Sequence, residues 1–439
     1  MPGRALGGPA PSGGGTVRIL WVTNVLLPEA SRLLNRPSTP YAGWLDSAAT
    51  QLSAQEGVQL GIASPMRGSR EVECVSTEAC AYYGFPQSRL TTSRSLKESL
   101  GKVLDAFEPD LVHLRGTEAR HALPTVAECS RRNIPTVVEI QGLVSVIAGH
   151  MRAALPNNVV QRATLRNLIM RDSVQGLSKR FAKMGAAEVE AIRMSNYIVG
   201  RTTWDRACTA QISPGAEYRH CGEFMRNGFY VGEWSLANVE RHSLFLSQGH
   251  YPVKGLHLAI EALAILSRSW PDATLYVAGR PNLSGRGLSE RTLATGYGNY
   301  VRRLIDSHGL QSRVVFTGPL DEGAMRERYL RTHAFVSASS IENSPNSLAE
   351  AMLLGLPCVA SAVGGVMDML LHDYEGYTYQ WDAPYMLAYH LDRLFADDGL
   401  AAELGRNAAQ RARVSHDRAA NLQQLLSIYR EMKGDESGS

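Results

Sequence analysis

Two glutamates separated by seven residues, Glu342 and Glu350, stand in the stretch Ser339–Asp368 (SSIENSPNSLAEAMLLGLPCVASAVGGVMD). A short apolar run, 334–338, precedes them, and a polar turn carrying Glu342 and Asn343 follows it. A helix start comes next: Ser344 suits an N-cap, and Pro345 suits the first helical position, where its missing N–H costs nothing. The helix should run to about Leu354, with Gly355 ending it and Pro357 just beyond. A further strand at 358–360 should lead into the turn Gly364-Gly365. Leu348 and Met352 make an inward stripe, whereas Asn346, Ser347 and Glu350 fall together on another side. Glu350 is then expected on the polar face, about 8 Å up the helix, with Glu342 just before the helix start. Free N–H groups and the helix dipole favour an anion there. The layout suits a ligand with hydroxyls at both ends and phosphates between them, such as a nucleotide sugar. Geometry alone leaves open a capped surface helix with two solvated glutamates.

A departing diphosphate needs cationic or N–H donors to take up its developing charge. The candidate is Lys254 in Gly249-His-Tyr-Pro-Val-Lys254-Gly255, directly after an apolar strand. This segment is not a phosphate-binding P-loop, because Lys precedes Gly and no Ser or Thr follows. No G-x-G-x-x-G follows a strand, which counts against a nicotinamide dehydrogenase. No Asp-x-Asp of the sort that holds a metal under a nucleotide sugar is present, so metal is expected to be dispensable and no cofactor is expected.

The E-x7-E at a strand-to-helix junction, with Gly-Gly about fourteen residues on, resembles the retaining glycosyltransferases of family 4. The string IENSPNSLAEAM is similar to a bacterial subgroup of it. The resemblance implies the GT-B fold, two Rossmann-like domains facing across a cleft, and a metal-independent hexosyltransferase. The donor would be a nucleoside diphosphate sugar, a UDP-sugar first and GDP-mannose second. Glu342 would hold sugar hydroxyls and Glu350 the ribose, while Lys254 and the backbone from Ser344 through Pro345 and Asn346 to Ser347 would face the phosphates. Phe316-Thr-Gly318 resembles the place where the family offers backbone groups to the base. The chain departs from the family pattern at three points. Only Gly43, with Ala42 before it, stands where a Gly-Gly pair is usual, and Gln141 stands where a histidine is usual. Gly249 stands where an arginine usually precedes the lysine by five. His150 is a candidate for the missing histidine's catalytic role, though a structural histidine is equally consistent with its place. His250, Arg201 or Arg280 could replace the arginine. Trp44, His113, Gln141 and His150 are the acceptor-side candidates. These departures keep open a sugar-nucleotide-binding protein without transferase activity, and the fold also hosts epimerases and phosphorylases.

The elements that would position these residues alternate as in a doubly wound α/β protein. Short apolar strands are expected at 17–23, 58–63, 111–114, 136–140 and 197–201, then at 244–247, 274–278, 314–317, 334–338 and 358–360, with helices between. A chain of 439 residues suggests more than one domain. The expected division is a disordered tail at 1–16, an acceptor domain at 17–235 and a donor domain at 236–415. A helix at 416–433 would return to the first domain, and 434–439 would be a second tail. A net charge of +3 makes no case for nucleic acid. Six cysteines without a C-x-x-C pair point to reduced thiols and a cytoplasmic protein. Residues 151–195 carry Arg152, Arg162, Arg166, Arg171, Lys179, Arg180, Lys183 and Arg193 against few acids. Such a stretch can lie on the anionic inner face of a membrane, or simply be solvated.

Overall fold

The computed structural model describes residues 16–37, 43–88, 90–170, 172–279 and 295–434. The chain forms two compact units. The first comprises residues up to Val144, Met184–Arg226 and the stretch from His416 onward, and the second Ser145–Lys183 and Asn227–Ser415.

The first unit is built on an eight-stranded sheet of β1 (Val17–Thr23), β2 (Val58–Met66), β3 (Glu73–Ser76), β4 (Cys80–Pro86), β5 (Leu111–Arg115), β6 (Thr136–Glu139), β7 (Tyr197–Gly200) and β8 (Glu217–His220). Their order is β3-β4-β2-β1-β5-β6-β7-β8. Every pairing is parallel except the β3–β4 hairpin. The central strand is the apolar run VRILWVT, whose residues from Ile19 to Thr23 are all buried, as a strand covered on both faces requires. The C-terminal helix Arg418–Lys433 starts on an Asp417 cap, whose carboxylate accepts from Ala420 N at 2.7 Å. It packs on this sheet through Tyr429, whose hydroxyl accepts from Trp21 Nε1 at 2.9 Å and lies 2.6 Å from His113 Nδ1.

The second unit has an all-parallel sheet of β9 (Glu240–Leu246), β10 (Thr274–Ala278), β11 (Val314–Gly318), β12 (Thr332–Ser337), β13 (Cys358–Ser361) and β14 (Tyr377–Tyr379). The order β11-β10-β9-β12-β13-β14 is the Rossmann 3-2-1-4-5-6 pattern in this unit's own strand sequence. The strand order reverses between β9 and β12 here and between β1 and β5 in the first unit, and ligands of such sheets bind at the carboxyl ends flanking such a reversal.

Residues 145–183, expected in the first domain, cluster instead with the second unit. Hydrogen bonds explain why. His257 Nε2 lies 2.7 Å from the Ala153 carbonyl, Gly296 N donates to Asn167 Oδ1 at 2.9 Å, and Ser340 Oγ donates to the His150 carbonyl at 3.2 Å. The turn that presents these carbonyls carries two non-glycine residues at positive φ, Ala153 (44°) and Ala154 (58°). The chain crosses to the first unit inside the 20-residue helix Val174–Arg193. The second crossing follows Arg226, some residues before the expected boundary at 235.

Candidate functional site

Glu342 lies between the end of β12 and the helix Asn346–Leu353, and two glycines fix its backbone. Gly364 has φ +51°, and a Cβ there would meet the Glu342 carbonyl oxygen at 1.9 Å, while Gly365 N donates to that same oxygen at 3.2 Å. The Gly-Gly turn therefore exists to let one backbone lie on the other. Gly255, at φ +68°, does the same for the lysine segment, since a Cβ there would meet the Ala338 carbonyl oxygen at 1.8 Å. Ser340 N then donates to Val253 O at 2.8 Å, stitching the lysine loop to the end of β12.

The result is a direct contact between residues 88 positions apart. Lys254 Nζ lies 2.5 Å from Glu342 Oε1, which also accepts from Ser339 Oγ at 2.7 Å. The Lys254 and Glu342 side chains remain 26% and 14% exposed. An ammonium and a carboxylate so placed at a helix N-terminus form a site that can bind both a phosphate and a hydroxyl group.

The helix differs from its sequence expectation in two ways. Pro345 takes the N-cap with an extended backbone (φ −69°, ψ 114°), so Asn346 rather than Pro345 is the first helical residue and Ser344 lies outside. No side chain caps this start, which leaves the first-turn amides of Asn346 and Ser347 to a ligand or solvent. Glu350 is not on a solvated face. It is 4% exposed, and Leu348 through Leu353 are all buried. The helix Asp398–Ser415 packs against this one, as do β12 and β13. Burying a carboxylate costs free energy unless it has partners, and Glu350 is not without one.

Gly249 is sterically committed: a Cβ there would meet Val277 Cγ1 at 2.7 Å and Leu256 Cδ2 at 2.8 Å, so no arginine fits without displacing them. Of the replacements, His250 is exposed and packs on Tyr251 (4.3 Å between ring centroids), with partial desolvation and then the charge of Lys254 lowering its pKa. Arg201 is held by Glu139 at 2.5 Å and by Glu223 in the first unit. Arg280 lies outside the described residues, as does Ala42 beside Gly43. His150 ends the helix Val144–His150 and reaches the Glu342 loop through its carbonyl. Gly318 (φ +76°) ends β11, which β10 and β9 separate from β12, and its carbonyl accepts from Gly279 N at 2.8 Å.

The structure places His113 and Gln141 inside a buried charged cluster at the carboxyl ends of β5, β6 and β7. Arg115 Nε lies 2.8 Å from Glu139 and Arg115 Nη2 3.3 Å from Glu223, while Gln141 Nε2 donates to Glu139 at 2.5 Å and to Glu223 at 3.1 Å. Burial opposes ionisation of Glu139, but Arg115, His113 and Arg201 outweigh it and hold the carboxyl below its usual range. His113 is fully buried between Glu139 (3.2 Å) and Tyr429, and burial takes its pKa down to about 4. Its ring anchors the C-terminal helix. Trp44, next to Gly43 at the start of helix Gly43–Ser53, stacks under Arg115 with the guanidinium 5.4 Å from its ring.

Glu118 ends a segment at a strand's carboxyl end but was given no role from sequence. Asn24 Nδ2 donates to Glu118 Oε2 at 2.8 Å, at the carboxyl ends of β1 and β5. Burial, with Glu188 nearby, pushes Glu118 up to about 7. Gly116 (φ +99°) is required beneath it, because a Cβ there would meet the Glu118 carboxylate at 2.4 Å. Arg-Gly-Thr-Glu directly after an apolar strand was the available signal.

Comparison with known proteins adds independent findings. Residues 235–411 match the family model described as glycosyl transferases group 1. The D-inositol 3-phosphate glycosyltransferase of Salinispora tropica is 32% identical over 186 residues, 41% of this chain and 36% of that protein. The chain spans less than half the length of the curated relatives it matches first. Among solved structures, the sucrose-phosphate synthase of Thermosynechococcus elongatus aligns with TM-score 0.67 at 15% identity, over 96% of this chain and 100% of that one. Anabaena HepE in complex with UDP-glucose aligns with TM-score 0.64 at 15% identity, over 94% and 99%. At such identities the likeness shows the fold, which is GT-B: two Rossmann-like sheets and a C-terminal helix belonging to the first.

Proposed function

We propose, from the premise that residues 235–411 belong to the glycosyl transferases group 1 family, that this protein moves a hexose from a nucleoside diphosphate sugar to an acceptor hydroxyl, with retention of configuration and without metal. The observation that carries the reading is the Lys254–Glu342 contact at the uncapped start of the helix Asn346–Leu353. On diphosphate arrival Lys254 exchanges Glu342 for phosphate oxygens, and the freed carboxylate accepts from sugar hydroxyls. Developing charge on the diphosphate is taken up by Lys254 and the amides of Asn346 and Ser347, and the leaving phosphate receives the acceptor's proton. Glu350 holds the ribose, and His150 borders the hexose. Because HepE was solved with UDP-glucose, a UDP-sugar is the first donor to test and GDP-mannose the second.

The acceptor carries sugar-type hydroxyls. Peripheral contact with an anionic membrane, through 151–195, is supported by Ile169, which is 69% exposed among the basic residues of that stretch. Flotation with anionic and neutral vesicles tests that part. The test of transfer is nucleoside diphosphate release that requires both donor and acceptor; release without acceptor, or none across a broad acceptor panel, refutes it.

A further inference from the structure

A cavity of about 720 Å³ opens in the second unit, between the helix Asp398–Ser415 and the segment 233–236. Its size falls in the range of roughly 300–1,000 Å³ of small-molecule sites. It lies at the far end of the helix Asn346–Leu353 from Glu342, because Gly355 lines it, about 13 Å along the axis from Asn346. Small residues make its floor. A Cβ at Gly405 would meet the Gly355 carbonyl oxygen at 2.1 Å, so the two backbones touch there. Ala402 and Ala409, before and after Gly405 on the helix, add little bulk beside that contact. Trp234 fixes the facing wall: its backbone N–H donates to the Leu354 carbonyl and its Nε1 to the Thr332 carbonyl, each at 2.7 Å. With that ring N–H committed, the indole and Leu236 present apolar surface to the cavity.

Three long polar side chains line the same cavity, Arg406, Gln410 and Arg413, at i, i+4 and i+7 on one helix face. All three are exposed, and none has an ion pair or hydrogen bond among the described residues. On another side of this helix the polar groups are engaged: Asn407 Nδ2 donates to the Tyr374 carbonyl and Arg411 Nη2 to the Asp368 carbonyl, each at 2.8 Å. Glu233, also on the lining, pairs with neither arginine among the described residues. The two arginines are rooted two turns apart, about 10 Å along the axis. A ligand with an anionic group at each end meets one guanidinium at each, without drawing two like charges together.

We infer that this cavity is a second ligand site, separate from the Lys254–Glu342 site, for an organic dianion about two helical turns long. Its ends lie on Arg406 and Arg413, and its middle lies on the apolar surface of Trp234, Leu236 and Ala409. The ends are phosphates or carboxylates, the groups whose paired oxygens match the guanidinium fork. Glu233 disfavours a third negative charge and accepts from a hydroxyl group on the middle. The inference goes beyond the transfer reading and does not depend on it, since no residue of this cavity takes part in that reaction.

The test is calorimetry on the full chain with two pairs of probes, fructose 1,6-bisphosphate against fructose 6-phosphate and azelate against its monomethyl ester. The two-ended member of at least one pair should bind about 5-fold or more tighter than its twin, the ~1 kcal/mol of one well-placed accessible ion pair. A preference in the first pair alone identifies phosphate ends, and one in the second alone identifies carboxylate ends; either supports the site. The double variant Arg406→Gln/Arg413→Gln should erase the preference, and because both side chains are exposed and unpaired among the described residues it should leave Tm unchanged. Ala402→Leu, which fills the cavity without altering charge, should weaken both members of the pair. Lys254→Ala should leave the preference intact. Equal affinities within both pairs, no binding by any probe, a preference that survives the double variant, binding indifferent to Ala402→Leu, or a preference lost in Lys254→Ala would each overturn the proposal. The last of these would place the dianion at the Lys254 site instead.

Discussion

Replacing Lys254 by alanine should have two separable effects. In the free protein Lys254 is the cation beside Glu342, at 2.5 Å, and Ser339 Oγ is the carboxylate's other close partner. Breaking a fully buried pair costs about 3–5 kcal/mol and an exposed pair about 0–1. With side chains 26% and 14% exposed, an intermediate cost of about 1–3 kcal/mol follows. At about 2–4 °C per kcal/mol for a unit of this size, Lys254→Ala should lower Tm by roughly 2–12 °C. The second effect is catalytic: losing one donor to a developing charge should lower kcat about 100-fold. Adding Glu342→Gln removes the stranded charge, so the double variant should regain most of the lost Tm and none of the lost kcat. Differential scanning fluorimetry and steady-state kinetics on the four proteins of this cycle decide it. A Tm loss that Glu342→Gln does not repair refutes the pair as its source. A kcat that stays level while only KM rises refutes the leaving-group role.

Glu350→Ala should weaken free UDP about 10- to 150-fold, the worth of a hydrogen bond to a charged group, while Glu342→Ala leaves UDP nearly unaffected and still slows transfer; equal losses by calorimetry would refute that division. Gly255→Ala drives a Cβ to 1.8 Å from the Ala338 carbonyl at φ +68°, so it should lower Tm and disturb the Lys254–Glu342 contact more than Gly434→Ala, which meets nothing within 4 Å. Glu118 has a folded pKa of about 7, above its ordinary 4.5, so the folded state binds more protons between those values and stability falls as pH rises through them. Glu118→Gln should therefore raise Tm relative to the unaltered protein at pH 8 and change it little at pH 4.5 or below; a pH-independent difference would contradict this.

Much of the second unit's site was readable because its chemistry is local in sequence. The strand, turn, helix and Gly-Gly succession around Glu342 is contiguous, and Gly255 follows Lys254 directly. What could not be read depended on distant packing. Glu350 looks polar-faced by helical periodicity and is buried, because tertiary packing covers both faces of this helix. Pro345 suits both the N-cap and the first helical position, and its extended ψ of 114° chooses the former. Arg115 and Glu139 end β5 and β6, and Arg201 and Glu223 follow β7 and β8, so only the sheet order brings them together. The strands β3, β4, β8 and β14 were missed. Glu217–His220 has no apolar run, Tyr377–Tyr379 is only three residues, and Cys80–Pro86 is interrupted by Gly84 and ends in proline. The assignment of 145–183 failed because composition does not record where a chain crosses between units; the His257, Asn167 and Ser340 contacts do.

The most direct test of retaining, metal-independent transfer is NMR-monitored turnover of an α-linked sugar nucleotide, UDP-glucose first and GDP-mannose second, in EDTA across a broad panel of sugar-hydroxyl acceptors. Nucleoside diphosphate release should depend on the acceptor, the product should be α-linked, and adding magnesium or manganese should bring no gain. A β-linked product, turnover restored only by metal, or diphosphate release indifferent to the acceptor would contradict it.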